Sequence, residues 1–108
     1  MKTILIILFS LFIFSINPSF GQASNDPVII AYKLVNIGNN FFNQNKLVKA
    51  AYCYKEAVRL NPKLAGGYIN LALVYYKIGD YPAFVANIKR AASLGDKQSQ
   101  RILSVLAP

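Results

Sequence analysis

Apolar residues recur along most of this chain at intervals of three and four, the spacing of one helix face. Asn25-Asp26-Pro27 supplies a capping side chain and then a proline suited to a first helical turn. Ala31, Leu34, Ile37, Gly38 and Phe41 follow on one stripe. Phe42-Asn43-Gln44-Asn45 interrupts it with residues that tolerate the left-handed conformation of helix ends. A second stripe runs through Leu47, Ala50, Ala51, Tyr54, Ala57 and Val58 and stops at Asn61-Pro62, because the residue before a proline disfavours helix. Residues 64–78 carry Tyr68, Leu71, Ala72 and Tyr75 on a third face. Gly79-Asp80 ends that helix and opens another, with Pro82 early in it and Phe84, Ile88, Ala91 and Ala92 along it. Gly95-Asp96 then closes the fourth helix and opens a short fifth over residues 97–106. Strand-type alternation is absent, so the pattern predicts an all-α chain.

The two pairs of helices superpose at an offset of 34 positions. Leu34 then falls on Tyr68, Ile37 on Leu71, Gly38 on Ala72 and Phe41 on Tyr75. Asn45 falls on Gly79, Leu47 on Tyr81, Ala57 on Ala91 and Leu60 on Leu94. A period of this length with two helices per unit is the mark of a stacked helical repeat.

On these residues the chain resembles the tetratricopeptide repeat (TPR) family. Leu34, Ile37, Gly38, Phe41, Ala50, Tyr54, Ala57 and Pro62 give nearly the whole family pattern in a first unit, 31–64. Small residues stand where two antiparallel helices approach, and large ones fill the wider gaps. A second unit, 65–98, keeps Tyr68, Leu71, Ala72, Tyr75 and Ala91, but has Phe84 where the family has a small residue and Asp96 where it has Pro. The resemblance implies a short right-handed α-solenoid of two TPR-like hairpins, with residues 97–106 as a capping helix that solvates the last open face. The expected domain spans 28–108, behind a short arm at 22–27.

The resemblance further implies a concave groove that binds a protein or peptide, lined by the first helix of each hairpin. Carried over position by position, the first unit would line it with Tyr32, Val35, Asn36, Asn39, Phe42 and Asn43. The second would add Gly66, Ile69, Asn70, Leu73, Tyr76 and Lys77. Asn39 and Asn70 match the two Asn of the family's carboxylate clamp, whereas Val35 stands where the clamp has Lys. The expected mode is a ladder of Asn amides hydrogen-bonded to a peptide backbone, with Phe42 and Tyr76 as exposed contact anchors. The alternative is a solvated groove with partners bound elsewhere.

The N-terminus changes the picture. Lys2 precedes an almost wholly apolar run at residues 3–16, and Ser19-Phe20-Gly21 offers small residues at a cleavage site. That is the make-up of a secretory signal peptide, cut after Gly21. The run is shorter than the roughly 20 residues of a membrane span, so contact with a membrane is expected only in passing, through this segment. The expected location is secreted or periplasmic. Usage rich in Ile, Lys and Asn fits a bacterial source.

Composition narrows the chemistry. There is no His and one Cys, and 12 Lys and Arg stand against 4 Asp and Glu, a net charge of +8. His-dependent catalysis, thiolate zinc sites and carboxylate metal sites are thereby set aside. No catalytic residue, metal or cofactor is expected, and the chain reads as a non-enzyme. Lys46, Lys49, Lys55, Arg59, Lys63, Lys89, Arg90, Lys97 and Arg101 fall mostly on second helices and loops. They form a solvated outer face or an attraction for acidic surfaces. No nucleic-acid-reading motif accompanies them. Cys53, between Tyr52 and Tyr54, suits a small buried hydrophobe. The favoured function is an exported adaptor for a protein or peptide partner. The alternative is a self-assembling homo-oligomer or envelope-associated module that uses the basic face.

Overall fold

A computed structural model describes residues 25–106. The expected signal peptide and the first half of the N-terminal arm, residues 22–24, lie outside them. The described residues form α1 Pro27–Asn43, α2 Leu47–Leu60, α3 Ala65–Ile78, α4 Tyr81–Ser93 and α5 Lys97–Leu106. Each helix packs on its neighbour in sequence, α1 on α2 through to α4 on α5. The result is the all-α, TPR-like solenoid of two hairpins and a final helix. None of these helices is long and apolar enough to cross a membrane.

Local chemistry sets the boundaries. Asp26 Oδ1 accepts from the Val28 amide at 2.8 Å and starts α1. Asp80 Oδ1 accepts from the Ala83 amide at 3.1 Å and starts α4. Asp96 Oδ2 accepts from both the amide and the hydroxyl of Ser99, at 2.8 and 2.6 Å, and starts α5. Each satisfies an amide that the helix leaves without an internal acceptor. The two hairpin turns use equivalent positions: Asn45 at φ +58° and Gly79 at φ +90°, both left-handed. Asn fills that conformation at a steric cost that glycine does not carry.

The core is continuous across the joint between hairpins. Ala50, Ala51 and Tyr54 of α2 meet Leu71 and Val74 of α3, with Phe41 and Tyr75 half-buried against them. Ala31, Ala57 and Leu64 form an adjoining cluster. Gly38 is small for a stated reason: a methyl there would come within 2.6 Å of Tyr54 Cε1. Gly67 likewise sits against Val58, where a methyl would approach Cγ1 to 2.5 Å. Cys53 is 6% exposed, as a small core residue would be.

Three sequence expectations need correction. Ile37 was expected in the packing stripe but is 46% exposed, whereas its equivalent Leu71 is 4% exposed. Leu71 packs on α2, while no described helix precedes α1, so among the described residues no helix covers the same position in the first unit. Pro62 is exposed in the loop rather than packed, and it acts by ending α2. Val35, expected in the groove, packs against both core clusters instead.

Candidate functional site

The first helices of the two hairpins, α1 and α3, bring part of the expected groove together. A hollow of about 180 Å³ is lined by Asn39, Phe42, Tyr54, Asn70 and Leu73. At its centre Asn39 Oδ1 accepts two hydrogen bonds, one from the Tyr54 hydroxyl at 2.6 Å and one from Asn70 Nδ2 at 3.3 Å. This arrangement fixes the amide. The Asn39 oxygen is spent on the protein, so its NH2 group is the part left to meet a ligand. Asn70 keeps one N–H and its carbonyl oxygen. The hollow therefore offers amide donors suited to a carbonyl or carboxylate acceptor.

Lys77 adds a cation beside this cluster. Its ammonium lies 4.6 Å from the centre of the Phe42 ring, within cation–π range. Leu73, 46% exposed, continues the surface into a second hollow of about 210 Å³. That hollow is mostly apolar, with Ile69, Phe84, Ile88 and Ile102 as its walls and Asp96, Gln98 and Ser99 at its polar edge. Hydrogen bonds from Ser99 hold the Asp96 carboxyl below its ordinary pKa and occupy one of its oxygens. The two hollows share Leu73 and form one trough, with amide donors at one end and apolar walls at the other.

Of the expected groove residues, Asn39, Phe42, Asn70, Leu73 and Lys77 converge. Tyr76 is 56% exposed but leans toward α4, with its ring centre 5.8 Å from that of Tyr81 and 5.4 Å from that of Phe84. Asn36 and Asn43 are exposed and line neither hollow. Sequence reasoning missed two contributors. Tyr54 was assigned to packing alone, although a core tyrosine needs a partner for its hydroxyl, and that need points to a nearby polar side chain. The final helix was read as a cover, yet Gln98, Ser99 and Ile102 make it a wall of the trough. Phe84, large where the resemblance has a small residue, forms the facing wall.

Comparison with known proteins places the repeat at the same joint. Residues 38–79 match the model of the TPR repeat, from Gly38 in α1 to the Gly79 turn. The chain is 37% identical over 57 residues to Hsp70-Hsp90 organizing protein 1 of Glycine max, a stretch that covers 53% of this chain and 10% of that protein. It is 39% identical over 57 residues to the Hsp70-Hsp90 organizing protein of Triticum aestivum, with the same coverage. The chain thus spans about a tenth of the length of the curated relatives it matches.

Proposed function

We propose that this chain is an exported, non-catalytic adaptor that binds an extended segment of a partner protein in the trough across α1, α3 and α5. The observation that carries this is the Asn39–Tyr54–Asn70 network. It spends polar capacity on orienting amide donors into an open hollow, a use that suits holding a backbone or carboxylate acceptor and does not suit bond making. Next to it, the apolar walls around Leu73 and Phe84 take a side chain of the same segment. The relatives support a protein ligand, since their names make them organizers of two other proteins. Export is supported by the apolar run behind Lys2 and its small-residue exit.

The test is a pull-down from envelope and medium with the full chain as bait at moderate salt, beside an Asn70→Ala/Leu73→Ala bait. Neither substitution alters a partner of the Tyr54–Asn39 bond, and circular dichroism of the variant checks that it is folded. A partner retained by the parent and lost by the variant supports groove recognition. Equal retention by both baits would remove the groove from the function. N-terminal sequencing of the recovered chain tests export: an N-terminus at Gln22 is expected, and an intact Met1 in the cytosol would refute it.

A further inference from the structure

A second exposed apolar surface lies on α2, away from the trough. Val48 and Tyr52 stand one helical turn apart and are 80% and 67% exposed. Ile78, 54% exposed, faces them across a hollow of about 310 Å³ whose floor is the buried Ala51 and the half-buried Tyr75. At 100° per residue, Tyr75 and Ile78 leave α3 on a different side from Asn70, Leu73 and Lys77. A second hollow of about 370 Å³ adjoins the first and shares Val48 with it.

The charge here is one-sided. Lys46, Lys49 and Lys55 line the two hollows, and no carboxylate does. Lys49 and Lys55 rest over the Phe41 and Tyr75 rings at 5.7 and 5.8 Å, so their charges stay close to the apolar surface. Among the described residues no ion pair neutralises them. The chain's 4 acidic residues are all engaged: Asp26, Asp80 and Asp96 cap helices, and Glu56 pairs with Arg59 at 2.9 Å. A second copy of the chain therefore brings no free acidic segment to this face.

We infer that the Val48–Tyr52–Ile78 surface docks an acidic amphipathic helix of another protein, with apolar side chains spaced one turn apart. The apolar ridge of such a helix enters the hollow between the Val48–Tyr52 row and Ile78. Its carboxylates meet Lys46, Lys49 and Lys55. A recessed floor bounded by the Val48–Tyr52 row on one side and Ile78 on the other suits an inserted ridge better than a flat lipid headgroup plane.

The experiment uses the full chain with a fluorescent 15-residue helical peptide that has Leu at one-turn spacing and Glu elsewhere. Lys-for-Glu and Ser-for-Leu versions run beside it, as do phosphatidylglycerol and phosphatidylcholine vesicles. The acidic peptide is expected to bind about tenfold or more tightly than either control. Val48→Ser/Tyr52→Ser is expected to weaken it by about tenfold, the scale of buried contact residues. Lys49→Gln/Lys55→Gln is expected to weaken it chiefly at low salt. All four positions are exposed, so these variants keep the fold. Asn70→Ala/Leu73→Ala is expected to bind the peptide as the parent does, which separates this surface from the trough. No binding of the acidic peptide, equal binding of the Lys version, or indifference to Val48→Ser/Tyr52→Ser would overturn the inference. So would retention on phosphatidylglycerol vesicles that depends on Val48 and Tyr52 while the peptide stays free.

Discussion

The Tyr54 hydroxyl donates a 2.6 Å hydrogen bond to Oδ1 of Asn39, tying a core side chain of α2 to the floor of the groove. Tyr54 is 1% exposed, so its hydroxyl, reached only through the hollow, is poorly hydrated if that partner is lost. Asn39 is in turn held in one orientation, with its donors facing outward. Stability and the orientation of the proposed contact amide thus share one bond. Asn39→Ala is expected to cost about 1–3 kcal/mol by stranding a buried donor, and Tyr54→Phe about 0.5–1.5 kcal/mol. The double variant is expected to lose clearly less than the sum of the two, because the stranded hydroxyl is gone. Urea unfolding of the three variants measures this. Strictly additive losses would mean that the bond couples nothing.

Gly38 and Gly66 should respond to alanine with opposite signs. At Gly38 the new methyl meets Tyr54 Cε1 at 2.6 Å and Cδ1 at 2.9 Å. That ring cannot retreat without breaking its bond to Asn39. Gly38→Ala is expected to cost about 1–3 kcal/mol, as overpacking does. At Gly66, in the first turn of α3, nothing lies within 4 Å of the added carbon. Gly66→Ala there removes backbone freedom from the unfolded chain and is expected to add up to about 1 kcal/mol. A loss at Gly66 or a gain at Gly38 in thermal unfolding would contradict this packing.

These residues also mark how far the sequence could be read. The 34-residue period is legible because Gly38 and Ala72, Phe41 and Tyr75, and Asn45 and Gly79 meet the same steric demand in each unit. Ile37 was not legible, since its burial depends on whether a helix precedes it and not on its own type. Asn39 could be placed in the groove by spacing, but its orientation could not, because that depends on how Tyr54 of α2 crosses beneath it. Asn36 and Asn43 carry the same amide on the same helix and fail to converge, for α3 meets α1 at Asn39 and Phe42. The wall that α5 supplies was hidden for a similar reason. Asp96 and Ser99 read as a helix start, and only the packing of α5 on α4 turns Ile102 toward Phe84.

Stability should fall at both ends of the pH scale, for different residues. Asp96 is held below its ordinary value of 3.8, first by the Ser99 hydroxyl and then by the Ser99 amide. A lowered carboxyl stabilises the fold fully above 3.8 and loses that contribution as pH falls through its folded value. At the other end, burial raises Cys53 above 9.0, and burial with the neighbouring Cys53 charge raises Tyr54 above 10.0. Both groups are neutral when protonated. Above those ordinary values the unfolded chain ionises first, so each contribution is complete below them and is lost as pH rises through the folded value. Urea midpoints measured from pH 2 to 11 are expected to show a plateau with two falling limbs. Asp96→Asn keeps a capping side chain but cannot ionise, and it should flatten the acid limb. Cys53→Ala should remove the earlier part of the alkaline limb and leave the part due to Tyr54. An acid limb unchanged in Asp96→Asn would mean that the start of α5 is not linked to the stability of the array, and that the wall it gives the trough can detach without unfolding the rest.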